Sequence, residues 1–329
     1  MGVTIKDVAK KAGVSIATVS MVVNDKAGHI TPKTKRKVLD AIKELDYRPN
    51  FTARSLVRKA SNTIGLLVPD ITNPYFAELA KSLETALNQA GYITFLCNTF
   101  EESEREERYV NELISRAVDG LIICGLTSLE TTIFASLKER RIPYLILDNR
   151  FSAENFSIHA DDFAGGELAA KHLIENGHTK TLFVGSQNHY INIEQRYQGF
   201  KSVMDKHKLE TNYLDTELTR VGGQKIAETV FKMDITAVFC SNDLIAIGLY
   251  DAAAKQKLTI PGDLSIIGYD NITFTSIVKP HLTTIQQPVH MLAEKACYHL
   301  LQMIHTPDYF FYKEILPVSL VSRDSVLAQ

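Results

Sequence analysis

Two groups of residues in this chain have types and spacings that could do chemistry. The first follows apolar runs: Asp148 comes straight after Tyr144-Leu145-Ile146-Leu147, Asn242 and Asp243 after Val238-Phe239-Cys240-Ser241, and Asp270 after Ile267-Gly268-Tyr269. If those runs are strands, the polar groups stand at carboxyl ends, where ligands approach an α/β sheet. Carboxylates accept pairs of hydroxyl hydrogen bonds, and an arginine such as Arg196 donates them in pairs, which suits a polyol. Tyr75 and Phe76, at the head of a helical run, could stack on the apolar face of a sugar. Each of these has a plainer reading: a strand-end acid can cap a helix, and either ring can belong to the core. The second group is Ser15-Ile16-Ala17-Thr18-Val19-Ser20-Met21, hydroxyls and small side chains in basic surroundings. That is the chemistry of a surface laid against nucleic acid.

Charge separates the two groups. Residues 1–60 hold thirteen Lys/Arg against five Asp/Glu, a net of +8, and the other 269 hold twenty-three against thirty-three, a net of −10. A basic head on an acidic body fits a polyanion-binding module joined to something that binds no polyanion. At 329 residues the chain exceeds a comfortable single core. Its first residues, Met1 to Asp7, lack the apolar stretch of a signal peptide, and no apolar run reaches the ~18 residues of a membrane span. A cytoplasmic protein without a membrane partner is expected. Cys97, Cys124, Cys240 and Cys297 sit in apolar contexts that fit no zinc pattern, so reduced, buried thiols are expected. The histidines are dispersed singly, and no Gly-x-Gly-x-x-Gly, Gly-x-Ser-x-Gly or P-loop occurs. Neither an enzyme nor a cofactor or metal is expected.

The elements that must position these groups can be read from periodicity. Thr4 and Asp7 form a capping box opening a helix from Ile5 to Ala12, Gly13 supplies a turn, and Ser15 with Thr18 caps a second helix from Ile16 to about Val23. Thr31 and Pro32 open a third, running to Leu45, with Val38, Leu39, Ile42 and Leu45 on its inner face. Helix, turn, helix and a supporting third helix make a helix-turn-helix unit, although a basic bundle that binds protein has the same outline. The remainder alternates apolar runs with amphipathic ones. Strands are expected at 64–69, 93–97, 120–124, 144–147, 181–184, 237–240 and 264–268, with helices such as 76–89, 104–116, 165–176, 194–206 and 244–256 between them. That rhythm predicts near ten strands in two parallel sheets with helices on both faces.

At this point the sequence resembles the lactose/galactose repressor family. Thr4-Ile5-Lys6-Asp7-Val8-Ala9, Ala12-Gly13-Val14-Ser15, Ala17-Thr18-Val19-Ser20, Asn24 and Tyr47-Arg48-Pro49-Asn50, then Ala53-Arg54-Ser55-Leu56, carry the likeness in the head. Asn73-Pro74, Arg196-Tyr197-Gln198-Gly199-Phe200, Ser241-Asn242-Asp243, Gly268-Tyr269-Asp270-Asn271, Gln286-Gln287-Pro288 and Ser322-Arg323-Asp324-Ser325 continue it through the body. The resemblance implies an α plus α/β chain: a helix-turn-helix headpiece at 1–48, a hinge helix or linker at 49–60, and a two-lobed body resembling periplasmic binding proteins at 61–329. Its N-lobe would comprise about 61–160 and 286–318, its C-lobe about 161–285 and 319–329, with crossings near 158–162, 283–288 and 315–323. A dimer is expected, because one headpiece reads one half-site of a pseudo-palindromic operator.

The resemblance also implies roles. Ile16, Ala17 and Met21 would read bases, while Thr18, Ser20 and Asn24 would mostly meet phosphates, with Ser15 and Arg54 beside them. Many relatives carry polar or basic residues at the three reading positions. Apolar side chains touch thymine methyls but form no bidentate hydrogen bonds, so operator sequence does not transfer. Leu56 would wedge into the minor groove and bend the duplex. Asp148, Arg196 and Asp270 match ligand contacts, and Asn73, Asn242 and Gln287 take comparable contacts in sugar-binding relatives; Tyr75 and Phe76 complete the set. Tyr190 and Asn192 replace the arginine and threonine of purine-binding relatives, which weighs against a purine. The function implied is a repressor of a carbohydrate-utilisation operon controlled by a small sugar or sugar phosphate, a ribose-like pentose foremost. The alternative is a global catabolite regulator of the same family, controlled by a phosphorylated carrier protein.

Overall fold

The computed structural model describes residues 3–23, 28–48, 60–125, 131–148, 156–186, 190–306 and 308–329. The chain divides into two compact units, Met1–Ser61 and Asn62–Gln329.

The first unit holds α1 (Ile5–Ala12), α2 (Ile16–Val23) and α3 (Pro32–Glu44). Thr4 donates both its N–H and its hydroxyl to Asp7, at 2.9 and 2.7 Å, which stops the chain before α1 and holds the Asp7 carboxyl below its usual range. Ser15 Oγ accepts from Thr18 N at 3.1 Å and starts α2. Val8, Ala9, Ala12, Val19, Val22, Val38 and Ala41 form the core, and Val14, Ile42 and Leu45 pack against it. Leu39 departs from the expectation: it is 48 % exposed, and Ala41 occupies the inner stripe instead. Positions 38, 41, 42 and 45 follow the helical spacing, which leaves 39 about a quarter-turn away.

The second unit contains two six-stranded sheets. In the first, β1 (Thr63–Val68) lies between the edge strand β2 (Ile93–Asn98) and β3 (Gly120–Cys124); β4 (Tyr144–Leu147), β5 (Ser157–Ala160) and β11 (Lys313–Leu316) follow in that order to the other edge. All its pairings are parallel. The second runs β12 (Ser319–Val321), β10 (Thr283–Gln286), β9 (Ser265–Asp270), β8 (Ala237–Cys240), β6 (Thr181–Gly185) and β7 (Thr211–Asp215). Here β12 pairs antiparallel with β10, a departure from the all-parallel expectation. Helices α4 (Pro74–Gln89), α5 (Ser103–Ser115), α6 (Thr131–Glu139), α7 (Asp162–Glu175), α8 (Ile191–Lys206), α9 (Arg220–Lys232), α10 (Asp243–Gln256) and α11 (Val289–His305) connect these strands. β1, β3, β8 and β9 are buried along their whole length, as strands covered on both faces must be.

The chain passes between the sheets three times, after β5, after β10 and between β11 and β12. Three of the four cysteines are buried and Cys97 is half-buried; all four are free thiols. Glycine sets one packing distance that matters for the site. Gly166 on α7 faces the backbone of Arg196 and Phe200, and Gly199 on α8 faces the carbonyl of Phe163. A methyl group at either position would overlap main chain, so these helices meet backbone to backbone. This contact seats Arg196, one turn before Gly199, against the start of α7.

Candidate DNA-reading helix and effector cleft

In the headpiece, Val19 and Val22 turn α2 inward, which commits the opposite side to solvent. Ser15, Ile16, Ala17 and Met21 are exposed, Ile16 and Met21 at 45 and 39 %, while Thr18 and Ser20 are half-buried. The expected base-reading positions therefore share one outward surface of a helix with no acidic residue in its first turn. Asn24, Arg54 and Leu56, and with them the expected hinge helix, lie outside the described residues.

In the body, Asn73, Tyr75, Phe76, Asp148, Arg196, Asn242, Asp270 and Gln287 line one cavity of about 50 Å³, together with Glu101, Asn192, Ile193 and Leu218. Both lobes contribute, and the strand ends aim the acids. Asp148 follows β4 and Asp270 ends β9, both with positive φ, 52° and 111°. Such backbone costs a non-glycine residue of order 1–3 kcal/mol and is held only where its surroundings dictate it. Asp148 Oδ1 accepts from Asn192 Nδ2 at 3.0 Å. Asp270 Oδ1 accepts from Gln287 Nε2 at 2.7 Å, and Gln287 Oε1 accepts from the Tyr75 hydroxyl at 3.1 Å. This relay links α4 of the first lobe to β9 of the second through the crossing that carries Gln287.

Arg196 is the cation among the described lining residues. Its Nε donates to Asp162 Oδ1 at 2.8 Å, its Nη1 donates to Ser241 O at 2.6 Å, and its guanidinium lies 3.7 Å from the centre of the Tyr269 ring. The Tyr269 hydroxyl also donates to Asp162, at 3.0 Å. Burial opposes the arginine's charge, but Asp162, Tyr269, Asp270 and Asp148 together hold its pKa above the ordinary value. Burial pushes the carboxyls the other way: Asp162 is raised against the pull of Arg196, and Asp270 is lifted to about 7 by desolvation, with Asp148 and Asp162 adding to it and Arg196 and Gln287 opposing. The Tyr75 phenol is raised well above its usual range by burial, then by Asp148 and Asp270.

Some of the expected residues have structural duties as well. Asn73 Oδ1 caps α4 through Tyr75 N, and Asn242 Oδ1 caps α10 through Ile245 N while its amide donates to Leu218 O. Tyr75 and Phe76 meet edge to face at 5.0 Å. Asp243 is not part of the lining: it accepts from Thr284 Oγ1 and Ile272 N, tying α10 to β10 and to the segment after β9. Asp162 and Tyr269, which hold Arg196, escaped the sequence reading. The available signal was the pair Asp161-Asp162 at a helix start, where one acid suffices as the cap. Asp161 fills that role through Ala164 N, which frees Asp162 to turn inward. A larger groove of about 700 Å³ between α4 and α11 is open and lacks such convergent buried groups. Among the described residues no His/Cys/Asp/Glu group could hold a metal ion, and no helix is long and apolar enough to cross a membrane.

Comparison with known proteins gives the same two-part division. Residues 4–50 match the family model for bacterial regulatory proteins of the lacI family, and residues 61–314 match the model for periplasmic binding proteins and the sugar binding domain of the LacI family. The chain is 37 % identical over 328 residues to a ribose operon repressor of Halalkalibacterium halodurans, covering 98 % of this chain and 96 % of that one. It is 34 % identical to an HTH-type transcriptional repressor PurR of Aliivibrio fischeri, covering 98 % of each. Among solved structures, it resembles a LacI family transcriptional regulator from Enterococcus faecalis with bound ribose, with a TM-score of 0.76 and 39 % identity over 81 % of this chain and 99 % of that one. It also resembles the lac repressor dimer bound to operator and the anti-inducer ONPF, with a TM-score of 0.89 and 28 % identity over the whole of both chains.

Proposed function

The chain belongs to the LacI family of DNA-binding repressors with small-molecule effectors, and on that premise we propose that its effector is ribose or a closely similar unphosphorylated pentose. The observation that carries this is the cavity: Asp148, Asp270 and Arg196 converge with Asn73, Asn242 and Gln287 on a small buried space walled by Tyr75 and Phe76. Carboxylates that accept hydroxyls, a guanidinium that donates and a ring face are what a polyol requires. The ribose-bound relative, at 39 % identity, supports the pentose. Charge argues against a sugar phosphate. Among the described lining residues Arg196 is the only cation, and Asp162 and Ser241 O already engage two of its nitrogens. Asn192 spends its amide on Asp148, which supports the reading against a purine in this cavity.

In this proposal Ser15, Ile16, Ala17, Thr18, Ser20 and Met21 contact a pseudo-palindromic operator of carbohydrate-utilisation genes, with Asn24, Arg54 and Leu56 completing the contact. The protein acts in the cytoplasm and catalyses nothing. It works as a homodimer, for which β2 offers a surface: this edge strand exposes Ile93, Phe95 and Leu96, a pattern that free edges rarely tolerate. Ligand shifts operator affinity only by its differential affinity for two dimer arrangements, and couplings of about 1–3 kcal/mol correspond to 5–150-fold. The test is an anisotropy titration of operator, selected from random duplexes, with and without ribose, arabinose and ribose 5-phosphate. Ribose alone should move the curve. A response only to a phosphorylated carrier protein would replace this reading with the catabolite-regulator one.

A further inference from the structure

Beside the cavity lies a second chamber. A space of about 300 Å³ shares Asn73, Phe76, Glu101 and Leu218 with the inner cavity, so the two adjoin across these four side chains. Their linings differ in chemistry. Beyond the shared residues the outer walls include Phe100, Tyr190 and Leu244, and the charged groups among the described lining residues are Asp70, Glu101 and Glu217, all acids. Such a chamber suits a flat, uncharged group and repels an anion.

A second observation concerns Phe100. It and Glu101 have φ of 55° and 59°, left-handed backbone that a bulky residue rarely adopts. The turn is pinned by Thr99 N donating to Val68 O and Glu102 N donating to Thr99 O. Within it the Phe100 ring stays 54 % exposed, with the Arg105 guanidinium 4.6 Å from its centre and Arg105 anchored on Glu102 at 3.0 and 3.2 Å. A strained turn that displays an aromatic ring on the wall of the outer chamber has the form of a ligand clamp.

We propose that the outer chamber is a second subsite, taking the flat, uncharged ring of a riboside whose pentose occupies the inner cavity, with ribonucleosides as the ligand class. This rests on the pentose reading of the inner cavity. The ring lies against Phe100 and Tyr190 of the outer chamber, outside the inner pocket, whose Asn192 argues against a purine bound there alone. Stacking on one exposed aromatic ring is worth about tenfold in affinity or more.

The experiment is calorimetric titration of the full chain with ribose, methyl β-riboside, cytidine, adenosine and their 5′-monophosphates. The variant is Phe100→Gly, which removes the ring and suits the left-handed backbone, so its folding is not at issue. Cytidine or adenosine should bind about tenfold tighter than methyl riboside, and the monophosphates about tenfold weaker than the nucleosides. Phe100→Gly should erase the nucleoside advantage and leave ribose within about twofold. Nucleosides no tighter than methyl riboside, or an equal loss for ribose and nucleosides in the variant, overturns the subsite. If ribose and methyl riboside fail to bind while nucleosides bind and depend on Phe100, the free-pentose effector falls and the subsite stands. If nothing binds, both fall.

Discussion

Replacing Asp270 by Asn should stabilise the protein in mild alkali and leave it unchanged in acid. In the fold the Asp270 carboxyl is lifted from 3.8 to about 7, chiefly by desolvation. Below pH 4 it is protonated in both folded and unfolded chains, and its burial costs nothing electrostatic. Between pH 4 and 7 the folded protein holds a proton that the unfolded chain has released, so stability falls as pH rises, and the loss is nearly complete above pH 7. At about 1.4 kcal/mol per pKa unit the full displacement corresponds to roughly 4 kcal/mol. For a body of this size that is roughly 8 °C in Tm. Asn cannot ionise and keeps an oxygen to accept from Gln287, so it escapes this loss. Asp162 is raised chiefly by its own burial and is common to both proteins, whereas Asp243 is raised by burial and then by the Asp270 charge, so removing that charge also relieves Asp243 and adds to the variant's advantage in alkali. Thermal unfolding of both proteins at pH 4, 6 and 8, without ligand, measures it. A Tm difference that does not grow with pH would refute the reasoning. The variant should also bind ribose more weakly, and wild-type affinity should improve from pH 6 to 8, because hydroxyls prefer the ionised acceptor.

Arg196→Ala should destabilise the body by about 3–5 kcal/mol in urea titrations, since it leaves Asp162 buried without its partner. Adding Asp162→Asn should recover part of that loss, and no recovery would mean that the ion pair is not the cause. Phe95→Asp on the exposed edge of β2 should shift sedimentation velocity from dimer to monomer, whereas an unchanged dimer places the interface elsewhere. Operator affinity should fall roughly 10³-fold or more between 50 and 200 mM salt, and a flat dependence would remove the phosphate contacts assigned to the basic head.

What could be read from the sequence, and what could not, follows from how local each signal is. Asp148 and Asp270 were legible because each terminates an apolar run, and the cavity brings both together with Arg196. Asn73 and Gln287 carried no such mark and came only through the family likeness. Glu101, Ile193 and Leu218 gave no signal, because a loop acid or a helical isoleucine looks the same facing a cleft or a core. Strands β7 and β12 escape such a reading because they are half-exposed edge strands of the second sheet, lacking the buried apolar run that identifies β1 or β9. Helix α9 opens Arg220-Val221-Gly222-Gly223, and paired glycines disfavour a helix; in the fold both sit where neighbouring backbone leaves no room for a side chain. Leu39 shows the limit of periodicity: an apolar residue beside a helical stripe is indistinguishable from a member of it until the partner helices are known.

The three passages between the sheets bear on how the protein is made. β11, at residues 313–316, is the edge of the first sheet against β5, and β12, at 319–321, is the edge of the second against β10. The last residues are woven in as well: Ser325 is fully buried and bonded to Thr283 and Ile266, and Gln329 N donates to Asn176 O. Neither lobe can therefore be completed on the ribosome until almost the whole chain has emerged, whereas every described helix of the headpiece lies in the first 44 residues. A message truncated before residue 313 would leave each lobe without an edge strand while the three helices of the headpiece were still encoded.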